Sequence, residues 1–549
     1  MKTETPEHHR LQQDLLRQAN WRRWGPYLAE RQWGTVREDY SEDGDAWRSF
    51  PHAHAPLRAY RWGEEGLLGF CDRQCRLCFS VALWNGKDAL LKERLFGLTN
   101  PEGNHGEDAK EVWYYLDSTP THSYARGLYK YPQSAFPYKT LIEENARRGR
   151  HEREFELQDT GVFEDHRYFD VFVEYAKGAP EDILIQITVE NRGPEAAPVH
   201  VLPTLWFRNT WNWGKVHAAP SNKPLLSEVG PGVIRAQHET LGDYFFSMEQ
   251  EAPLLFTENE TNTLALYGVP VSGNLSKDGL QRAVVFGENG ATRSGFGTKM
   301  APHYRLAIPA GGRAVLRFRL SAAGEAPVGA PAFKTFSQIL AQRQSEADAF
   351  YQTKTSPHLS ADQKLVVRQA YAGLLWSKQY YQLVVPEWLR GDTPHPPPPP
   401  GHQSVRNFDW GHLYASDVLS MPDKWEYPWF AAWDLAFHMI PMARIDPAFA
   451  KAQLELLLRE WYMHPSGQIP AYEWNFNDVN PPVHAWACWR VYKISAPPGQ
   501  RDTLFLERCF QKLLVNFTWW VNRKDVQGRH IFAGGFLGLD NIGLFDRSK

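Results

Sequence analysis

The hydrophobic period changes once along this chain, and that change limits the fold more than any other feature. Between about residues 55 and 330 apolar side chains recur at every second position. In DILIQITVE, Ile183, Ile185, Ile187 and Val189 fall on one face of an extended strand. Asn191-Arg192-Gly193-Pro194 turns the chain, and APVHVLPTLWF resumes the alternation. RYFDVFVEY and GRAVLRFRLS read the same way. Many short strands, punctuated by Gly and Pro with no helices between them, predict an antiparallel β-sandwich over residues 1–332.

Beyond residue 360 the period becomes helical. Ser360 and Gln363 have capping-box spacing ahead of a long helix, on which Val366, Ala370, Leu374 and Tyr381 form an apolar stripe. Asp446-Pro447 supplies an N-cap and a proline at the first helical position, opening a helix to about Tyr462. HAWACWRVYK and TLFLERCFQKLLVNFTWWVNR are further helices. Residues 333–359 read as a helical linker. Helix–loop–helix units in series over 360–549 predict an α/α toroid whose loops build a pocket at one end. The five-proline run Pro396–Pro400 reads as an extended surface strap.

Charge and cysteine usage narrow the function classes. The formal net charge is −3, so no bulk pull toward nucleic acid or an anionic membrane is expected. The start, MKTETPEHHRLQQDLLRQ, has no apolar signal core, and no later run is long enough to span a bilayer. Five cysteines form no even disulfide set, so a reduced cytoplasmic protein is the simplest reading. The oligomeric state is left open.

Two patterns imitate metal sites. Cys71, Cys75 and Cys78 in CDRQCRLC have the spacing that holds an iron–sulfur cluster in radical enzymes. However, RLCFSVALW is β-prone and runs into Asn85-Gly86, a two-residue hairpin signal, which puts Cys78 inside a strand. Ordinary half-buried cysteines are therefore the expectation, with the iron–sulfur enzyme kept as a competing hypothesis. DYSEDGDAW begins like a calcium loop, but Phe50 occupies the position that needs a bidentate Glu. His52 and His54 have no partner pattern. No cofactor and no resident metal is expected.

The chemistry concentrates in two aromatic loops, SMPDKWEYPWFAAWD and GQIPAYEWNFNDVNPPVHAW. They supply Trp425, Glu426, Trp429, Trp433, Asp434, Tyr472, Glu473, Trp474, Asn475, Asn477 and Asp478. Sugars present C–H faces that pack on indoles, and their hydroxyls need amides and carboxylates. An Asp poorly solvated beside indoles stays protonated more easily, which suits a general acid. The competing reading makes the tryptophans core and Asp434 a first-turn charge stabilised by the helix dipole. Pattern alone does not separate the two.

SMPDKWEYPWFAAWDLAFH and GQIPAYEWNFNDVNPPVHAWA resemble glycoside hydrolase family 63 and its bacterial relatives, the processing α-glucosidases and mannosylglycerate hydrolases. KERLFGLTNPEGNHGEDAKE and LPTLWFRNTWNWG in the β half share the resemblance. It implies a β-sandwich followed by an (α/α)6 barrel, and an inverting glycosidase acting on α-linked glucosides or α-mannosides through two carboxylates. Trp433-Asp434 matches the family's Trp-Asp motif, which makes Asp434 the general acid. Trp429 matches a wall of the sugar subsite. Trp425, Glu426, Tyr472, Glu473, Trp474 and Asn475 are the remaining expected substrate contacts. The family's base is a Glu late in the barrel. Twelve helices with short connections need roughly 190 residues, and the long loops of residues 361–549 leave room for about five. The barrel is thus expected to be partial and the base to lie beyond Lys549, with Glu473 as the nearest internal candidate. A glycan-binding protein that keeps the aromatic pocket without catalysis is the alternative.

Overall fold

A computed structural model describes residues 4–32, 37–41, 50–99, 102, 109–149, 151–212, 222–270, 275–391, 398–404, 408–425, 429–472, 476, 480–522 and 529. The chain forms two compact units. The first comprises Met1–Tyr380, Gly391–Pro400 and Asp423–Pro428; the second comprises Tyr381–Arg390, Gly401–Pro422 and Trp429–Lys549.

The first unit is built on two antiparallel sheets. The smaller contains β1 (Trp24–Gly25), β2 (Phe70–Asp72), β3 (Leu77–Trp84), β8 (Ala197–Phe207), β12 (Leu254–Thr257), β14 (Lys299–Pro302) and β15 (Tyr304–Ile308). Its order is β1-β2-β3-β8-β14-β12, with β15 also paired to β8. The larger runs in the order β13-β9-β10-β11-β16-β7-β6-β5-β4. Its strands are β4 (Trp113–Ser118), β5 (Tyr124–Pro132), β6 (Tyr168–Ala179), β7 (Asp182–Asn191), β9 (Leu225–Gly230), β10 (Val233–His238), β11 (Gly242–Met248), β13 (Phe296–Gly297) and β16 (Arg313–Ala322).

Alternation explains the layering. Ile183, Ile185, Ile187 and Val189 of β7 enter one core with Val171, Val173 and Phe318 of the same sheet and Phe79, Val81, Leu205 and Met300 of the other. Each fully buried aliphatic side chain contributes roughly 1.5–3 kcal/mol, so this shared layer dominates the unit's stability. On the opposite face of the larger sheet, Tyr124, Ala176 and Leu184 meet Phe336 and Ala347. Those two lie on α2 (Phe336–Gln352), so this helix packs on the sheet instead of acting as a free connector.

Three local expectations are corrected. Asn85-Gly86 does not close a two-residue hairpin. The chain returns to β3 only at Lys92, which pairs with Leu83, and the Asn85 side chain accepts N–H bonds from Lys87 and Asp88 at 2.9 and 2.7 Å within the longer loop. The stripe read on α3 (Ala361–Trp376) is also displaced. Val366 is 61% exposed, whereas Ala372, Leu375 and Trp376 are buried. Only the last turns of α3 meet the sheet, where Trp376 stacks on Tyr115 at 5.1 Å; Tyr381 lies past the helix, in β17 (Lys378–Val384). This helix and α2 fall in the first compact unit. Finally, Cys71, Cys75 and Cys78 are closed from solvent, not half-buried.

The second unit is mainly helical. It holds α4 (Ala432–Ile445), α5 (Pro447–Leu457), α6 (Val483–Ser495) and α7 (Thr503–Asn522), together with β18 (Tyr414–Ser420), which pairs with β17. α4 packs on α5 and α6, and α6 on α7. Asp446 joins α4 to α5, its Oδ1 accepting the Phe449 N–H at 3.0 Å. Among the described residues, no helix is long and apolar enough to cross a membrane.

Candidate functional site

The start of α4 is where the two aromatic loops meet. Ala431 is the N-cap and carries no side-chain cap. Its loop is held by backbone instead. Ala431 and Tyr472 form an antiparallel bridge, and the Ala432 N–H donates to the Ala471 carbonyl at 2.9 Å. One of the orphan N–H groups of the first turn is satisfied in this way by the other loop.

The second loop is fixed at its origin as well. Gly467 has φ +94°, and a Cβ there would stand 2.6 Å from the Val515 carbonyl oxygen, so the position requires glycine. Asn516 of α7 donates to the Gly467 carbonyl at 2.7 Å, and Gln468 donates to the Phe476 carbonyl at 2.8 Å.

Asp434 is the third residue of α4 and half-buried in its first turn, where the helix dipole favours a carboxylate. Trp433 is half-buried, and its ring meets Phe437 edge-on at 5.9 Å. Trp429 is 9% exposed. Trp429, Trp433, Asp434 and Tyr472 all belong to the helical unit. Trp425 falls in the sandwich unit, its ring T-shaped against Trp113 at 5.0 Å. Glu426, Glu473, Trp474, Asn475, Asn477 and Asp478 lie outside the described residues, as do residues 42–49 of the acidic loop, Pro396 and Pro397 of the proline run, and residues 530–549.

Beside Trp433 lies a cleft of about 30 Å³, lined in part by Asn480, His484, Asn516, Trp519 and Trp520. It has room for a water or two. Asn480 is 8% exposed, and neither atom of its amide has a protein partner among the described residues. A closed, unanswered amide next to an indole is a ready partner for a hydroxyl. The sequence reading passed over it, since an Asn before two prolines reads as a turn. His484 donates through Nε2 to the Leu454 carbonyl at 2.9 Å, and burial holds its pKa down to about 4, against that hydrogen bond's upward pull. The ring is neutral at pH 7.

A second carboxylate was also missed. Asp417 is on β18, half-buried, and accepts the Tyr462 O–H at 3.2 Å. Burial raises its pKa, and the Tyr462 hydrogen bond opposes the rise. Tyr462 belongs to an aromatic cluster with Tyr381 and Phe430, at 6.3 and 5.5 Å. Elsewhere, a larger concavity of about 250 Å³ lies on the outer face of β5, β6, β7 and β16, lined by Arg126, Phe172, Glu174, Arg313 and Arg317 among others. It contains none of the residues singled out from sequence.

Residues 427–535 match the family model of the mannosylglycerate hydrolase MGH1-like glycoside hydrolase domain. This stretch is therefore glycoside hydrolase-like, without being specific to family 63. The chain is 47% identical to the uncharacterized protein YMR196W of Saccharomyces cerevisiae over 593 aligned positions, which cover 99% of this chain and 54% of that protein. The chain thus spans about half the length of this curated relative. Among solved structures, the family GH92 alpha-mannosidase BT3965 of Bacteroides thetaiotaomicron aligns at 10% identity and a TM-score of 0.27, covering 84% of this chain and 58% of that one. Its complex with mannoimidazole aligns at 9% identity and 0.28, covering 93% and 65%. Likenesses of that size carry no argument about fold or chemistry.

Proposed function

We propose that the helical unit carries the acid side of an inverting glycosidase site that acts on α-linked glucosides or α-mannosides. The observation that supports this reading is a coincidence of position. The glycoside hydrolase-like stretch begins at residue 427 and contains the second half of the first loop and the whole of the second, joined by the Ala431–Tyr472 bridge, with Trp433-Asp434 just after the bridge. Asp434 is the proposed general acid, protonating the leaving-group oxygen. An inverting site places its second carboxyl roughly 6.5–9.5 Å away to admit the attacking water. No residue of this chain is proposed as that base.

Trp429, Trp433 and Tyr472 are the proposed apolar wall, and Asn480 a hydroxyl-binding amide. Glu426, Glu473, Trp474 and Asn475 are proposed as further substrate contacts, and an (α/α)6 toroid as the form of the domain. The cleft beside Trp433 is too small for a hexose, so substrate entry displaces one of its indoles. A cytoplasmic setting is proposed from the cysteine usage alone.

The deciding experiment uses the complete protein and α-linked glucose and mannose glycosides. Release of sugar with inversion at the anomeric carbon, abolished in Asp434→Asn while binding persists, is the expected result. The amide keeps the shape but has no acidic proton to give. Near-normal turnover of an unactivated substrate by that variant would overturn the assignment. Binding with no turnover by the native protein would favour a glycan-binding role.

A further inference from the structure

The hairpin of β2 and β3 carries three thiols on one side. Cys71 and Cys78 are direct partners across the ladder, flanked by the Phe70–Phe79 pair. Side chains alternate along a strand, and Phe70, Leu77 and Phe79 enter the sandwich core. Cys71 and Cys78 therefore project from the other face.

The turn between the strands adds the third. Its geometry is held by Asp72, whose carboxylate accepts N–H bonds from Gln74, Arg76 and Leu77 at 2.9, 2.7 and 2.9 Å. Cys75 itself has φ +52°, the left-handed region that a side chain seldom adopts. That bend folds its thiol back over the other two. The three Sγ atoms all lie within 4.8 Å of one another, with Cys75 and Cys78 3.6 Å apart. All three residues are at most 1% exposed.

We propose that Cys71, Cys75 and Cys78 hold one thiophilic metal ion, zinc by the balance of charge. Sulfurs that share one tetrahedral ion at bonds of about 2.3 Å stand about 3.8 Å apart; the Cys75–Cys78 pair at 3.6 Å is close to that, and the 4.8 Å limit on the set leaves the third within reach of the same ion. In an iron–sulfur cluster each thiolate takes its own iron and the sulfurs stand wider, so the cluster suggested by the sequence spacing is the poorer fit.

Arg208 completes the electrostatics. Its guanidinium donates to the carbonyls of Cys75 and Arg61 at 3.0 and 2.8 Å, which fixes a positive charge beside Cys75. Three thiolates are then balanced by Arg208 and one divalent ion in a region closed from bulk solvent, and a single bound water would be the fourth ligand. Within the same spacing, no described His, Cys, Asp or Glu offers a fourth ligand. Monovalent copper, which accepts three thiolates, is the other soft ion the set would take.

The test is elemental analysis and X-ray absorption on the full chain, purified without chelators under reducing conditions. One zinc or one copper per chain, with three sulfur neighbours at about 2.3 Å, is expected, and the absorption edge identifies the ion. Cys75→Ser should lose the metal and Cys488→Ser should keep it. If Cys75→Ser fails to fold, the sulfur count on the native protein still decides. Metal-free protein with three titratable thiols, a disulfide within the set, or iron with acid-labile sulfide would each overturn the proposal.

Discussion

Glu30 and Lys424 hold each other twice. The Glu30 N–H donates to the Lys424 carbonyl at 3.1 Å, and Lys424 Nζ stands 3.9 Å from Glu30 Oε1, with both side chains fully closed from solvent. Nζ also donates to the Pro26 carbonyl at 2.6 Å, and Glu30 Oε2 accepts the Leu68 N–H at 2.7 Å. Burial pushes Glu30 up and Lys424 down, and each partner's charge opposes the shift of the other. Lys424→Met leaves Glu30 buried without its counter-charge. The expected loss is about 3–5 kcal/mol by urea unfolding, mostly recovered in Glu30→Gln/Lys424→Met. Equal stability of the single and double variants would refute the pairing.

Trp429→Ala should lower stability by about 3–5 kcal/mol, because a ring at 9% exposure leaves a cavity when truncated. Sugar affinity is to be measured on the folded fraction. A further loss there of roughly 1–3 kcal/mol, by analogy with base stacking on aromatics, is expected for a subsite wall. Unchanged affinity would leave Trp429 a core residue.

Asn480→Leu should behave in the opposite way. The amide has no protein partner among the described residues, so replacing it costs no hydrogen bond to any of them. Melting temperature should hold or rise while sugar binding weakens. A clear drop in melting temperature would show that the amide is structural.

Stability should fall in mild acid. The His484 pKa is lowered from 6.5 to about 4 by burial, so the unfolded chain binds a proton that the folded chain refuses. Between those values stability rises with pH; its contribution is complete above 6.5 and is lost as pH falls toward 4. One such group amounts to about 3 kcal/mol. His122 acts in the same direction, held well below 6.5 by burial and by the charges of Lys378 and Lys177. Urea midpoints at pH 7.5 and 5.0 check this, and a His484→Gln chain should show a shallower decline. Equal midpoints at the two pH values would refute it.

The last described helix has a bare apolar face. Phe510, Leu514, Phe517 and Val521 follow the spacing of one stripe on α7 and are 48–62% exposed. Such a patch marks an association surface. Light scattering should find the 549-residue chain self-associated, and Phe510→Glu/Phe517→Glu should disperse it. Association unchanged by both charges would place the contact elsewhere.

Where local chemistry alone decides the structure, the sequence was readable. The alternation at Ile183, Ile185, Ile187 and Val189 became β7 in the core, the Ser360–Gln363 box caps α3, and Asp446 caps α5. It was misread where a distant partner decides. Asn85-Gly86 closes no two-residue hairpin because Asn85 donates to the distant Pro132 and Ser134 carbonyls and the chain returns to β3 only at Lys92, and the α3 stripe moved because Tyr115 receives Trp376. The site divides along the same line. Trp433-Asp434 was legible as a motif. Asn480 and Asp417 were not, since an unanswered amide and a carboxylate on Tyr462 exist only once the chain has folded.

The Ala431–Tyr472 bridge bears on how this region changes by mutation. Two loops that read as separate modules share one pair of backbone contacts, so a deletion or a rigid residue in either shifts the other. Substitutions on the two sides will not combine additively. A loop transplanted singly into a related scaffold arrives without the strand that positions it. Any reshaping of this region therefore inherits both segments together, as a single heritable block.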